Sequence, residues 1–218
     1  MTPPLEARGL HRFYRRGDTE IPALLDVSLR CTAGETIAVT GPSGSGKSTL
    51  LGLLAGLDDP DGGVVQVAGR RLSHQSPAVA ARLRARHIGI LTQANGLFGH
   101  LSVLDNVRFA ASLGRPGGPP PTELLDALGL QAVRNNTTLT LSGGEAARAG
   151  LAVALAGAPT VLLADEPTAE VSADEETTIL DLLNRWRPRD GATVIVTHAA
   201  AVAAHADRIV HLVDGRVS

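Results

Sequence analysis

Cysteine and aromatic residues are scarce in this sequence. Cys31 is the only cysteine among 218 residues, which excludes an intramolecular disulfide and a metal site built from several thiolates. This fits a reducing compartment. The low aromatic content, beside abundant alanine, glycine and arginine, is typical of a protein from a GC-rich genome and says little about structure.

The sequence also lacks a long apolar segment and an excess of charge of one sign. Its longest uncharged stretch, residues 149–164, contains Gly157 and Pro159 and is shorter than the roughly 20 apolar residues of a membrane span. We predict a helix, a turn and a buried strand there. Residues 1–10 lack the apolar run of a secretory signal, so we expect the chain to stay inside the cell. The net charge is −2, from interspersed basic and acidic residues, and no nucleic-acid partner is expected.

A chain of 218 residues can bury one large core, or one core with a small inserted lobe. Alternating patterns predict three short strands in the first third, at residues 24–30, 36–40 and 63–68. Gly62-Gly63 and Ala68-Gly69 are predicted as turns around the last of them. The apolar runs 161–164 and 192–197 do not alternate, which favours parallel strands buried on both faces.

The middle of the chain has helical patterns, at residues 103–113, 122–128 and 144–157. Residues 114–121 are Gly, Pro and one Arg, which predicts a loop. We therefore expect a small helical lobe inserted into an α/β core.

Residues 41–48, Gly-Pro-Ser-Gly-Ser-Gly-Lys-Ser, fit the phosphate-binding loop pattern. They follow a predicted strand and precede a helix with leucines at helical spacing, expected over residues 48–57. Backbone N–H groups of such a loop hold phosphate oxygens, and the helix adds the positive end of its dipole. Lys47 is expected to reach the β- and γ-phosphates, and the Ser48 hydroxyl to bind Mg²⁺.

A second motif is the apolar strand 161–164 that ends in Asp165 and Glu166. The carboxyl ends of strands are where open α/β sheets bind ligands. Asp165 is expected to hold Mg²⁺ through water. Glu166 is expected to orient or deprotonate the attacking water, because phosphoryl transfer depends mainly on positioning and charge stabilisation. By itself, a strand that ends in acidic residues is common.

A third motif is Leu141-Ser-Gly-Gly-Glu145, which stands just before a predicted helix. Free N–H groups, the Ser142 hydroxyl and the helix dipole form a second anion-binding end. Ser142 followed by Glu145 is also a capping-box pattern, and both interpretations can hold together.

With these three motifs, the chain resembles the ATPase subunits of ABC (ATP-binding cassette) transporters over nearly its whole length, and residues 142–145 match their signature motif. The resemblance implies an α/β fold: a P-loop NTPase (RecA-like) core with an N-terminal antiparallel β subdomain and an inserted helical subdomain. It implies one domain, with the core and β subdomain in residues 1–93 and 158–218 and the helical signature subdomain in 94–157.

The resemblance adds three site residues. Tyr14 would stack on adenine, with Phe13 as a competitor, Gln93 would contact Mg²⁺ or water and sense the membrane partner, and His198 would contact the γ-phosphate. The expected ATP-binding residues are Tyr14, Gly41, Pro42, Ser43, Gly44, Ser45, Gly46, Lys47, Ser48, Thr49, Ser142, Gly143, Gly144 and Glu145. The expected catalytic residues are Lys47, Gln93, Glu166 and His198, and the expected Mg²⁺ ligands are Ser48, Gln93 and Asp165.

In this family, two subunits face each other head to tail and enclose two ATP. We therefore expect a second ATPase subunit, identical or different, and a transmembrane permease that holds the chain at the cytoplasmic face of the membrane. Residues 93–107 resemble the lipoprotein-release and macrolide-export branch. The rival hypothesis is a regulatory or mechanical ABC protein that signals to a membrane partner without transport. A soluble ABC protein of repair or translation would have two fused cassettes or a coiled coil, and this sequence has neither.

The sequence departs from the family pattern at three places. Glu145, Ala146 and Ala147 replace residues that are usually glutamines, although Arg148 matches. Val171-Ser172 stands where the family has a leucine-aspartate pair, and Ala199 replaces an acidic residue. The change at 171–172 predicts slower hydrolysis or pairing with a different ATPase chain.

Overall fold

Two β-sheets organise the computed structural model, which describes residues 2–17, 19–93 and 96–218. The strands are β1 (Leu5–Arg16), β2 (Thr19–Cys31), β3 (Glu35–Thr40), β4 (Gly62–Val67), β5 (Arg70–Arg71), β6 (Ile88–Leu91), β7 (Val161–Asp165), β8 (Ala192–Val196), β9 (Arg208–Val213) and β10 (Arg216–Val217). The helices are α1 (Lys47–Leu54), α2 (Pro77–His87), α3 (Val103–Leu113), α4 (Pro121–Ala127), α5 (Gly143–Ala156), α6 (Ala173–Arg185) and α7 (Ala200–Ala203).

The central sheet has the strand order β10-β9-β3-β8-β7-β6 in the described part of the chain. All neighbouring pairs from β9 to β6 are parallel, and only β10 runs antiparallel to its neighbour. The carboxyl ends of β3, β8, β7 and β6 therefore meet at one edge of the sheet. This confirms the parallel strands predicted from the apolar runs at 161–164 and 192–197.

The N-terminal sheet is antiparallel, in the order β2-β1-β4-β5. Gly62 and Gly63 belong to β4, so the turn predicted there is wrong. Gly63 has φ 87°, and a Cβ on it would lie 2.5 Å from the carbonyl oxygen of Arg8. The pairing of β1 with β4 shifts register between Arg8 and His11, so this glycine serves a close approach of two strands and not a turn.

The central sheet separates two apolar cores, and successive residues of one strand enter different cores. Val161 and Leu163 of β7 pack into the core that contains α1 and the antiparallel sheet. Leu162 and Ala164 pack into the core with α3, α4, α5 and α6. This two-residue alternation is why β7 is apolar throughout.

Helices α3, α4 and α5 form the helical lobe predicted for the middle of the chain. Ser102 and Ser142 cap α3 and α5, each accepting a hydrogen bond from the backbone N–H three residues later. Pro121, which the sequence placed in the loop, is the first residue of α4, a position that proline tolerates because its missing N–H has no intrahelical partner. No helix in the described ranges is long and apolar enough to cross a bilayer.

Candidate functional site

One cleft of about 720 Å³ lies at the edge where the parallel strands end. The loops that follow β3, β6, β7 and β8 lie side by side because these strands are neighbours in the sheet. The cleft is lined by Tyr14, Ile21, Pro22, Ala23, Gly41, Pro42, Ser43, Gly44, Gly46, Lys47, Ser48, Thr49, Gln93, Asp165, Glu166, Val196 and His198. It thus brings together every predicted site residue except Ser45 and residues 142–145.

The glycine-rich loop curls around the ammonium group of Lys47. Lys47 Nζ donates hydrogen bonds to the carbonyl oxygens of Gly41, at 2.8 Å, and Pro42, at 2.9 Å. The loop leads directly into α1, whose first N–H groups have no intrahelical acceptor. A cation and a helix N-terminus therefore converge on the same side of the cleft, which suits a polyanionic ligand.

Two glycines of this loop have left-handed backbones but different surroundings. Gly46 has φ 102°, and a Cβ on it would overlap the carbonyl oxygen of Ala23. Gly44 has φ 79°, and a Cβ on it would meet no atom within 4 Å. Of these two glycines, Gly46 is the one required both by conformation and by space.

Replacing Gly46 with Ala is expected to lower the free energy of unfolding by about 3 kcal/mol or more, while Gly44→Ala should cost only about 1 to 2 kcal/mol. The second variant bears the left-handed strain alone, while the first also forces β2 away from the loop. Urea denaturation of both variants measures the difference. Equal destabilisation of the two would show that the contact with Ala23 does not hold the loop in place.

Glu166 is held by three hydrogen bonds at the end of β7. Its Oε2 accepts from Thr197 Oγ1 at 2.9 Å, and its Oε1 accepts from the backbone N–H of His198 at 3.0 Å. The Nδ1 of His198 lies 2.6 Å from the same Oε1, within hydrogen-bond distance. Glu166 has φ 45°, a strained backbone of the kind concentrated at functional sites.

Three oxygen-bearing side chains in the cleft suit a small hard cation. Ser48, Gln93 and Asp165 line the same space, and Mg²⁺ takes a few protein oxygens together with water and phosphate. Burial raises the pKa of Asp165, the charge of Glu166 raises it further, and Lys47 lowers it. A divalent cation beside Asp165 would offset the cost of burying this carboxylate, so the donor set fits Mg²⁺.

Tyr14, and not Phe13, lines the cleft. The guanidinium of Arg12 lies over the Tyr14 ring, 5.1 Å from its centroid. Arg12 is fixed in turn by ion pairs with Asp58, at 2.7 Å, and Asp61, at 3.2 Å. The ring of Phe13 instead stacks on His11, with 6.5 Å between the ring centroids. Of these two aromatic residues, Tyr14 is therefore the one that faces the cleft.

Residues 142–145 lie outside the cleft, at the start of α5. Ser142 and Glu145 form the predicted capping box: the backbone N–H and the hydroxyl of Ser142 both donate to Glu145 Oε2, at 2.8 and 3.0 Å. The hydrogen bonds from Ser142 lower the pKa of Glu145, so this end of the helix carries a negative charge at neutral pH.

The start of α5 is pressed against the segment that follows β7. A Cβ on Gly143 would lie 2.7 Å from the carbonyl oxygen of Glu170, and one on Gly144 would overlap the carboxylate of Glu175. Arg148, one turn further along α5, forms an ion pair with Glu175. Gly143 is therefore needed for close packing against backbone, whereas the neighbour of Gly144 is a side chain.

Sequence reasoning missed several residues of the site. Thr197 is fully buried and holds Glu166, and Arg12 covers one face of Tyr14. Ile21 enters the cleft because β2 pairs with β1 in a register that places it opposite Tyr14. A threonine directly before His198 was the only available signal for Thr197. Ser45, predicted as a ligand, has a buried side chain and does not line the cleft.

Comparisons with known proteins agree on one family. A family model described as ABC transporter matches residues 24–169. The lipoprotein-releasing system ATP-binding protein LolD of Anaeromyxobacter dehalogenans is 40% identical over 99% of this chain and 93% of its own length. The macrolide export ATP-binding/permease protein MacB of Sodalis glossinidius is 38% identical over 99% of this chain. The chain spans about a third of the length of such macrolide-export relatives, 34% in this case.

Solved structures give the same result. A dimeric structure of the ATP-binding cassette MJ0796 in a post-hydrolysis state, bound to ADP and Pi, has a TM-score of 0.89 and 31% identity. The match covers 98% of this chain and 96% of the MJ0796 chain. A second dimeric structure of MJ0796, described as a bacterial ABC transporter cassette, has a TM-score of 0.88 and 30% identity.

Proposed function

Because the chain belongs to the ABC transporter family, as an ATP-binding cassette, we propose that it hydrolyses ATP and drives a separate transmembrane permease. One observation carries the proposal: a single cleft joins the glycine-rich loop, Lys47, Asp165, Glu166 and His198. These groups supply phosphate binding, a cation site and a base in one space. The branch we favour is lipoprotein release or macrolide export, which the relatives support and which residues 93–107 suggested, although 94 and 95 lie outside the described residues.

The residues of the cleft would divide between phosphate binding, metal binding and proton transfer. The loop N–H groups and Lys47 bind the phosphates, and Tyr14 stacks on the base. Ser48, Asp165 and Gln93 would hold Mg²⁺, which would supply positive charge to offset that of the phosphates. Glu166 accepts a proton from the attacking water, and the exposed imidazole of His198 donates a hydrogen bond to the γ-phosphate.

The hydrogen bonds to Glu166 prepare it for this role. Thr197 and the backbone of His198 fix both carboxylate oxygens, so the side chain does not need to reorganise during the reaction. The imidazole of His198 is 74% exposed, which leaves it free to turn towards a ligand. A nucleotide that draws this imidazole away from Oε1 would release that oxygen for the water proton.

Two copies of the chain would complete two sites. Residues 142–145 do not line the cleft, so we assign them to the nucleotide that another subunit holds. The dimeric cassettes with which the chain shares its fold support this arrangement. We propose a homodimer, with a heterodimer as the alternative.

The permease would dock in a groove of about 770 Å³ between α2, β6, α3 and α5. This groove separates the α/β core from the lobe that we propose as the signature subdomain, residues 94–157. Gln93 follows β6, so it links the groove to the cleft along one strand. The chain would thereby attach to the cytoplasmic face of the membrane through its partner.

A regulatory role without transport is the second candidate. Glu145 adds a negative charge where phosphate would bind, and Val171-Ser172 lacks the family's aspartate. Both changes favour a weaker or slower dimer. The chain and a membrane partner are placed together in liposomes, and the passage of substrate across the liposome membrane is measured. Passage of substrate would indicate transport, and its absence would favour signalling.

The dimer is tested with Ser142→Asp in a Glu166→Gln background. Aspartate can still cap α5 but places a carboxylate at the anion-binding end, so ATP-induced dimers seen by light scattering should disappear while ATP still binds. Ser102→Asp is the matched control, because Ser102 also caps a helix and also donates to an acidic residue three positions later.

Two outcomes contradict the proposal. Dimers that persist with Ser142→Asp would remove residues 142–145 from the nucleotide interface. Loss of dimers in both serine variants would show that cap stability, and not charge at a phosphate, is what the substitution changed.

A further inference from the structure

A cluster of arginines lies on the face of the molecule that includes α2. Arg70, Arg82, Arg86 and Arg115 are all exposed and line one depression of about 620 Å³, together with Val79, Leu83, His87 and Pro116. None of the four forms an ion pair within the described ranges. Four positive charges therefore share a small space without a carboxylate to neutralise them.

The surroundings of His87 show how closely these charges approach. Burial lowers the pKa of His87, and the guanidiniums of Arg115, Arg70 and Arg86 lower it further. The Nδ1 of His87 and a guanidinium nitrogen of Arg115 both lie near Thr160 Oγ1, at 3.1 and 3.2 Å. Charges from α2, β5 and the loop after α3 thus converge on one point.

Helix α2 itself is packed unlike the other long helices. It contains no acidic residue, and none of its side chains is fully buried. Val79 is 38% exposed beside the arginines. Helix α2 therefore presents a cationic face whose arginines are free to meet a charged partner, while Leu83 packs on the core beneath it.

We propose that the cluster of Arg70, Arg82, Arg86 and Arg115 binds the phosphate groups of anionic phospholipid headgroups and holds α2 against the membrane. Guanidinium pairs bidentately with phosphate, and arginine is the cation of choice for phosphate recognition. Arg82 and Arg86 also line the groove assigned to the permease, so the orientation of the cluster towards the membrane depends on the proposed function.

The overall charge of the chain makes the proposal easy to test. A protein with net charge −2 has no general attraction to an anionic bilayer, so binding requires a local cationic surface. The purified full chain is mixed with vesicles of phosphatidylcholine alone, or with 30 mol% phosphatidylglycerol, and bound protein is separated by flotation. We expect binding only to the vesicles that contain phosphatidylglycerol.

The cluster variant is Arg70→Gln, Arg86→Gln and Arg115→Gln together, which should lower the partition coefficient roughly 100-fold. The control is Arg30→Gln, Arg185→Gln and Arg216→Gln, which removes the same charge from exposed arginines that form no ion pair. An equal loss of binding in both variants overturns the proposal, because general charge would then explain the attraction.

Two further probes identify other ligands. Inorganic pyrophosphate is titrated into Lys47→Ala protein, and a labelled polyglutamate peptide into the wild type. If either binds in a cluster-dependent way while vesicles do not, the lipid proposal is wrong and the ligand is a soluble phosphate or an acidic protein segment. Vesicle binding by wild-type protein that hydrolyses no ATP would contradict the proposed function and leave this inference intact.

Discussion

Glu166→Gln is expected to reduce ATP turnover about 10²- to 10⁴-fold while leaving ATP binding within threefold of the wild type. Glutamine has the same shape and can still accept the backbone hydrogen bond of His198, which is 3.0 Å long in the wild type. It cannot accept a proton from water. Phosphate release measures turnover, and a fluorescent ATP analogue measures binding.

Glu123→Gln is the control for this prediction. It makes the same substitution at an exposed position in the first turn of α4, which is no part of the cleft. Turnover of this variant should match the wild type. If Glu166→Gln retained more than a third of wild-type turnover, the base would be another group, and the hydrogen bonds of Thr197 and His198 to this carboxylate would have only a structural role.

Lys47→Met is expected to weaken ATP binding about 10- to 150-fold. This is the change in affinity expected when one hydrogen bond to a charged group is lost. Methionine keeps most of the side-chain length, so packing against the loop is retained while the ammonium is lost. This ammonium donates hydrogen bonds to the carbonyls of Gly41 and Pro42, at 2.8 and 2.9 Å. Titration with a fluorescent ATP analogue gives the affinity.

Arg216→Met serves as its control, because it removes an exposed cation outside the cleft. Affinity within twofold of the wild type for Lys47→Met would exclude a phosphate contact.

Lys47 is also the only lysine in the sequence. Reductive ¹³C-methylation therefore labels one side chain besides the N-terminus, and its NMR signal should shift when ATP displaces the loop carbonyls.

The sequence predicted the centre of the fold well because its signals there are local. The glycines of residues 41–46, the apolar strand before Asp165 and the cap at Ser142 each follow from a few neighbouring residues, and each lies where it was expected. The first helix ends at Leu54, earlier than the leucine pattern suggested, because left-handed Gly56 stops it.

Other features depend on distant residues and were missed. Strand β1 owes its place to pairing with both β2 and β4, and its register is broken by irregularities that hide the alternation of its side chains. Helix α2 has no buried face and therefore no apolar period. Arg12 reaches Tyr14 only because Asp58 and Asp61, far along the chain, hold it there.

The close packing of Gly143 and Gly144 on residues 170–175 has a consequence for how two sites in a dimer would communicate. The segment begins a few residues after Glu166, and Gly143 at the start of α5 meets the backbone of Glu170 directly. The ion pair of Arg148 with Glu175 fastens the contact. A shift of the backbone at one bound nucleotide would therefore displace the anion-binding end that the same subunit offers to the other nucleotide. The timing of the two hydrolysis events would then be set inside each subunit, without the aspartate that Ser172 replaces.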